Sequence, residues 1–406
     1  MSKRLYYEAS YQRALTAKVV ESLMVAGRPA VVLDESCFYP SSGGQPYDTG
    51  VLNGVAVEDV WVRESDEAVV HQLAAPLAVG TAVTGEINWE RRFDHMQQHS
   101  GQHILSQAFL RVAEAATIGF HLGEVGVTID LDCEQLSDSQ VGDVEQMANE
   151  IVWENRPIRA YFVPLAEAQS LDLRKIPDVK GDTLRLVDID DFDLTACGGT
   201  HVTHTGGVGL IKILKAVRYK QGYRIEFRCG GRAVADYGMK HQLLTVLSNT
   251  LTTGYDDLPN VLTKLQEENK ELQKSQKQLG QQLSGLEGRQ LWTDGERVGG
   301  MRVVMGAFTD KDAGEVRQLA SVITGLEGGV ALLASVMAER THFVFGRHEE
   351  AVGDMNQILQ MTLGEIGGRG GGRPNLAQGG GVVTDEARVT ELLSQAYGNW
   401  RENCQL

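Results

Sequence analysis

The chain has 406 residues, a 42% apolar fraction and a formal net charge of −16. That length leaves room for two or three domains with sizeable cores, while the acidic balance speaks against indiscriminate nucleic-acid binding, because phosphate affinity comes from Lys and Arg. One of the longer apolar stretches, Val330 to Ala338, is far too short to span a bilayer, so no membrane partner is expected. The N-terminus, MSKRLYYEASYQ, is basic but has no apolar core after it. It does not read as a signal peptide, and the cytoplasm is the expected compartment. Cys37, Cys133, Cys197, Cys229 and Cys404 are odd in number and scattered, which argues against a disulfide framework.

Residues 1–90 read as short strands broken by turns. RPAVVLDESCFYP, VLNGVAVEDVWVRE, AVVHQLAA and AVTGEINW are β-branched runs bounded by Gly, Asp or Pro, and a small β-barrel is expected. From Trp89 the pattern turns helical, with Ile104, Leu105, Ala108 and Phe109 at helical intervals. Residues 91–250 mix strands (EVGVTIDLD, IRAYFVP, TLRLVDI, VGLIKILKAVRY, YRIEFRCG) with helices, including one from about Ser139 to Asn155, an α+β pattern. Over 251–290, Leu258, Leu265, Leu272, Leu279 and Leu286 repeat every seven residues. With these leucines at d, Asn269 and Gln276 fall at a positions. A coiled-coil helix is expected, as an intramolecular hairpin or as the seam of a homodimer; the alternative is a single solvated helix. Residues 291–406 form a separate α/β domain, with strands at MRVVMGAF, GGVALLASV and THFVFGR and helices near Ala313–Thr324, Asp354–Ile366 and Asp385–Tyr397. The run GGRGGGRPNLAQGGG is not a Walker loop, since no Gly-Lys-Ser/Thr follows.

Two short motifs carry chemistry. HSGQH puts His99 and His103 one helical turn apart, where two imidazoles can reach one ion. That spacing alone is weak. CGGTH, about a hundred residues on, adds Cys197 and His201 at the same four-residue spacing. Together they supply one thiolate and three imidazoles, a typical zinc set. His95, one turn before the pair, and His204 are left over. A basic stretch follows CGGTH directly, with Lys212, Lys215, Arg218, Lys220, Arg224, Arg228, Arg232 and Lys240 against Glu226 and Asp236. It is either a pair of solvated strands or an RNA contact on the same face as the metal.

HSGQHILSQAF with CGGTHVTHTGGVGLIKI closely resembles the zinc site of the alanyl-tRNA synthetase editing domain and its freestanding relatives. CFYPSSGGQPYDTG resembles the glycine-rich stretch of the β-barrel that precedes that domain, RIEFRCGGRA the strand and turn that follow the site, and GGRGGGRPNLAQGGG the glycine loop of the synthetase's C-terminal domain. The order is the family's, and the likeness is to the long form of the freestanding alanyl-tRNA editing proteins. It implies a Zn2+ ion at His99, His103, Cys197 and His201. It also implies a deacylase acting in trans on tRNA(Ala) mischarged with serine or glycine. His99, His103, His201 and Gln102 would then act at the ester, and Gly43, Gly44, Gln45, Lys212, Lys215, Arg218 and Arg224 would meet the RNA. Zinc can lower the pKa of a water and polarise a carbonyl, but four protein ligands normally close a zinc site. Either His201 leaves a position open, or the ion mainly holds substrate. Gln102 departs from the threonine common in synthetase editing domains and leaves serine against glycine undecided. The alternative function is a non-catalytic, zinc-containing module that binds tRNA.

Overall fold

The computed structural model describes residues 2–124, 126–174, 181–382 and 385–405. The chain divides into two compact units, Met1–Thr250 and Leu251–Leu406. The α+β class expected from the sequence is present, and so is the N-terminal barrel. Among the described residues no helix is long and apolar enough to cross a membrane.

The first unit opens with strands β1 (Ala14–Val25), β2 (Arg28–Leu33), β3 (Gly50–Leu52), β4 (Val55–Val62), β5 (Val69–Leu73) and β6 (Ala82–Ile87). They close into a barrel in the order β1-β2-β5-β4-β3-β6. Its interior is filled by alternate residues such as Leu15, Ala17 and Val19 of β1 and Val83 and Ile87 of β6. The expected VLNGVAVEDVWVRE strand is two strands, because Asn53 and Gly54 both adopt positive φ (49° and 78°) and turn the chain back on itself.

Helix α1 (Trp89–Ala113) follows. The Asn88 side chain caps it by accepting from Arg91 N at 3.1 Å. Arg92 joins the helix to the barrel: fully buried, it ion-pairs with fully buried Asp48 and donates to Cys37 O (2.6 Å) and Ser10 O (2.8 Å). Strands β7 (Ala116–Leu122) and β8 (Val127–Asp132), helix α2 (Asp138–Trp153) and strands β9 (Ile158–Pro164), β10 (Thr183–Ile189) and β11 (Asp193–Ala196) come next. Of the expected EVGVTIDLD strand, Val125 lies outside the described residues. A hairpin of β12 (Ile211–Tyr219) and β13 (Gly222–Cys229) leads into α3 (Gly230–Leu251). One antiparallel sheet runs β12-β13-β8-β7 and another β9-β10-β11. The main core of the unit, including Ile104, Phe109, Ile129, Ala148 and Phe227, lies where α1 and α2 pack on the first sheet. Gly230, at φ 51°, starts α3 tight against α1, where a Cβ would sit 2.3 Å from the Gln97 side chain.

The second unit starts with α4 (Leu258–Asp294). Leu265, Leu272, Leu279, Leu283 and Leu286 face solvent along it. Strands β14 (Glu296–Val298) and β15 (Met301–Phe308), helix α5 (Ala313–Thr324), strands β16 (Gly329–Val336) and β17 (Thr341–Arg347), helix α6 (Met355–Gly364), strands β18 (Arg369–Arg373) and β19 (Leu376–Gly381), and helix α7 (Glu386–Asn403) complete it. The sheet order is β14-β15-β16-β17-β19-β18, parallel only at β15-β16, and β16 is buried along its whole length. The glycine run is an antiparallel strand pair at the sheet edge. A Cβ on Gly370 would lie 2.4 Å from Gly379 Cα and 3.0 Å from Leu363 of α6, so the glycines let a helix lie flat on the two strands.

Candidate metal centre

His99 and His103 project from the middle of α1, and Cys197 and His201 from the loop after β11. Their ligand atoms all lie within 4.8 Å of one another. Cys197 Sγ is 3.4 Å from His99 Nε2 and 3.3 Å from His201 Nε2. An ion about 2.3 Å from sulfur and about 2.0–2.1 Å from nitrogen holds such atoms about 3.5 Å apart at a tetrahedral angle. The loop can close on the helix because of Gly199, where a Cβ would sit 2.2 Å from His99 Cε1. The fold therefore brings together all four residues that the two motifs singled out.

Each imidazole is held by its far nitrogen. His99 Nδ1 donates to Gln45 Oε1 (2.9 Å), His103 Nδ1 to Asp193 Oδ2 (3.4 Å), and His201 Nδ1 meets Ser100 Oγ (3.1 Å). Asp193 is fixed in turn by Arg174 Nε at 2.7 Å. Arg185, buried behind the loop, donates through Nη1 to Cys197 O (2.8 Å) and Gly199 O (2.9 Å). Partners of this kind set ring orientation and basicity in metal sites. Burial alone would push the Cys197 thiol up, but the imidazoles of His99, His201 and His103 outweigh it and hold it well below its ordinary value. Burial pushes His201 down to about 3 and so keeps it neutral. Burial also works against a charged His103, yet the Cys197 thiolate and Asp193 more than reverse this and raise it. Thiolate sulfur with imidazole nitrogen is the borderline-soft donor set that suits zinc.

His99, His103 and Cys197 line a cavity of about 310 Å³, whereas His201 lies behind them. Gln102 lines it next to His103; its amide nitrogen donates to Ser106 Oγ at 2.8 Å, and no hydrogen bond among the described residues takes its Oε1. Thr117, Ile118, Gly119 and Phe120 of β7 also line it, with the Phe120 ring 5.1 Å from that of His99. Of the barrel triplet Gly43, Gly44 and Gln45, only Gly43 lines the cavity. Gly44 packs under Phe120, and Gln45, 1% exposed, turns inward: Oε1 also accepts Thr200 N (3.1 Å) and Nε2 donates to Thr200 Oγ1 (2.8 Å). This is a barrel residue with both ends of its amide engaged at the metal loop, not presented to a strand of RNA. Gln45→Ala should therefore lower metal affinity about 10–100-fold, read by competition with a chromophoric chelator; unchanged affinity would separate the barrel from the metal. His95 is buried one turn earlier and lines a different cavity, while His204 is exposed.

The basic stretch is largely neutralised inside the fold. Lys212 pairs with Glu145, Arg224 with Asp130, Arg232 with Asp94, and Arg228 and Lys240 with Asp236. Among the described residues Lys215, Arg218 and Lys220 have no ion pair.

Three family models match: tRNA synthetases class II (A) over residues 3–91, the threonyl and alanyl tRNA synthetase second additional domain over 184–226, and the DHHA1 domain over 300–399. The alanyl-tRNA editing protein AlaX-L of Pyrococcus horikoshii is 30% identical over 422 residues, covering 100% of both chains. The chain belongs to the alanyl-tRNA editing protein family. This chain also shares sequence with synthetases: the alanine–tRNA ligase of Pyrococcus furiosus is 31% identical over 98% of this chain, and that of Pyrococcus abyssi 32% over 97%. The chain spans 44% and 43% of the length of these two ligases. The C-Ala domain of Aquifex aeolicus alanyl-tRNA synthetase aligns with 25% of the chain and 95% of its own, at 28% identity and a TM-score of 0.23.

Proposed function

We propose that the chain hydrolyses the ester that joins a wrong amino acid, serine or glycine, to tRNA(Ala), with Zn2+ held by His99, His103, Cys197 and His201. The observation that carries this reading is the four-residue cluster, three of whose members, His99, His103 and Cys197, line a cavity large enough for an aminoacyl end. Family membership over the full length supports the substrate class. When bound, zinc supplies Lewis acidity for the ester carbonyl and for water. The chain's own groups do the rest. Gln45, Asp193 and Ser100 keep the imidazoles aimed at the centre. Gly43 puts bare backbone at the cavity wall.

Gln102 Oε1 is placed to accept a hydrogen bond from a serine hydroxyl. A bond of this kind is worth on the order of 1–3 kcal/mol when its partner is lost. Gln102→Ala should therefore lower serine release relative to glycine release about 5- to 150-fold, read as the ratio of kcat/KM values. Equal losses on both substrates would mean that Gln102 only supports the site. The test of the whole reading is hydrolysis of a panel of aminoacylated tRNAs, with and without a zinc chelator.

A second reading is favoured by the donor count itself. Four protein ligands make a closed zinc site, as in structural centres. The chain would then bind tRNA without chemistry, and the same panel would show retention of RNA but no turnover. In either reading the exposed leucines of α4 are offered as a homodimer seam, which sedimentation of the full chain tests.

A further inference from the structure

We propose that the solvent-facing side of the β12-β13-β8-β7 sheet receives the unpaired 3′ end of the RNA and leads it to the metal cavity. The proposal rests on the substrate class proposed above. Strand β7 is shared by two cavities: its residues Thr117 to Phe120 wall the metal cavity, and Ile118 also lines a second one of about 500 Å³. Ile118 is 63% exposed and stands at the lip between them. The far side of the second cavity is the tip of the β12-β13 hairpin, with Tyr219 and Lys220.

The surface between has the composition of a platform for single-stranded RNA. The Arg224 guanidinium lies 3.7 Å from the centre of the Tyr219 ring and is clamped by Asp130 at 2.7 and 2.8 Å. Lys220 Nζ is 5.2 Å from the same ring. Aromatic rings backed by cations stack bases without demanding a sequence. Lys215 and Lys220, two cations of the basic stretch that have no ion pair among the described residues, are on this hairpin, where they can meet phosphates. Of the two carboxylates lining the cavity, Asp130 is tied to Arg224, and exposed Asp132 suits the exocyclic amine of a cytosine or adenine. A contact this local is compatible with a chain charge of −16, because only the strand end has to be held.

The test is binding of an uncharged RNA hairpin with an unpaired 3′ ACCA end to the full chain, followed by fluorescence anisotropy. Tyr219→Ala should raise Kd about tenfold, within the range found for loss of one stacked base. Lys220→Glu should also weaken binding and make the salt slope shallower by about one phosphate contact. Lys18→Glu, on the barrel, should change neither. A 4-thiouridine in the unpaired end of the hairpin should crosslink wild-type protein within residues 215–224, which decides the matter even if a variant fails to fold. Wild type that does not bind, a Tyr219→Ala/Lys220→Glu double variant that binds as wild type, or crosslinks mapping to the separate Trp89–His95 cavity would each overturn the proposal. None of these readouts involves turnover, so an inactive cluster would not be mistaken for an unused sheet face.

Discussion

Cys197→Ala is expected to abolish stoichiometric zinc and to lower deacylation by at least about 10³-fold. Cys197 supplies the thiolate at the centre of the cluster, with two imidazole nitrogens 3.3 and 3.4 Å from its sulfur. Removing it leaves three histidines without their soft, charged partner. A metal's Lewis acidity is worth several kcal/mol of transition-state stabilisation, and each 1.36 kcal/mol is a factor of ten in rate. Stability should change far less, because Cys197 packs only at the margin of its core and the barrel has a core of its own. Elemental analysis, turnover and a thermal melt on the same preparation separate the outcomes. Retained zinc with full activity would refute the ligand set; loss of folding together with zinc would make the ion structural.

Asp48→Ala should cost the first unit about 3–5 kcal/mol, the range for removing one partner of a buried ion pair. Arg92 would keep its bonds to Cys37 O and Ser10 O but lose the carboxylate that balances its charge, with both groups fully buried. The pair sits where α1 leaves the barrel, less than two turns before His99, so part of the loss should appear as weaker metal binding. Denaturant unfolding followed by a probe in residues 1–250 reads the first effect. A shift below about 1 kcal/mol would mean that the barrel and α1 do not depend on this contact.

The four residues of the cluster were legible in the sequence because a four-residue spacing survives folding: it places His99 over His103 on one helix and needs only one loop to bring Cys197 and His201. The groups that hold them were not. Gln45 reaches His99 from a barrel turn 54 residues earlier, and nothing in SSGGQ distinguishes an inward glutamine from an exposed one. Asp193 stands in the DFD run just before CGGTH, where its acidity alone marks nothing, and Arg185 has no local signal at all. The basic stretch misleads for a related reason. Its neutralising partners Glu145, Asp130 and Asp94 come from α2, β8 and α1, so a count along the chain overstates the charge offered to RNA. Helix α3 escaped because Val234, Tyr237, Met239, Leu243 and Val246 are all exposed and trace no single apolar stripe. The strands β18 and β19 escaped because glycine carries no strand preference.

The most direct test of the account is single-turnover hydrolysis of Ser-tRNA(Ala) by the full chain, beside correctly charged Ala-tRNA(Ala), with the zinc content of the protein measured. The account predicts rapid release of serine, sparing of alanine, loss of activity on chelation and its return with one equivalent of zinc. Zinc-loaded protein that binds Ser-tRNA(Ala) but leaves its ester as stable as in buffer would contradict it.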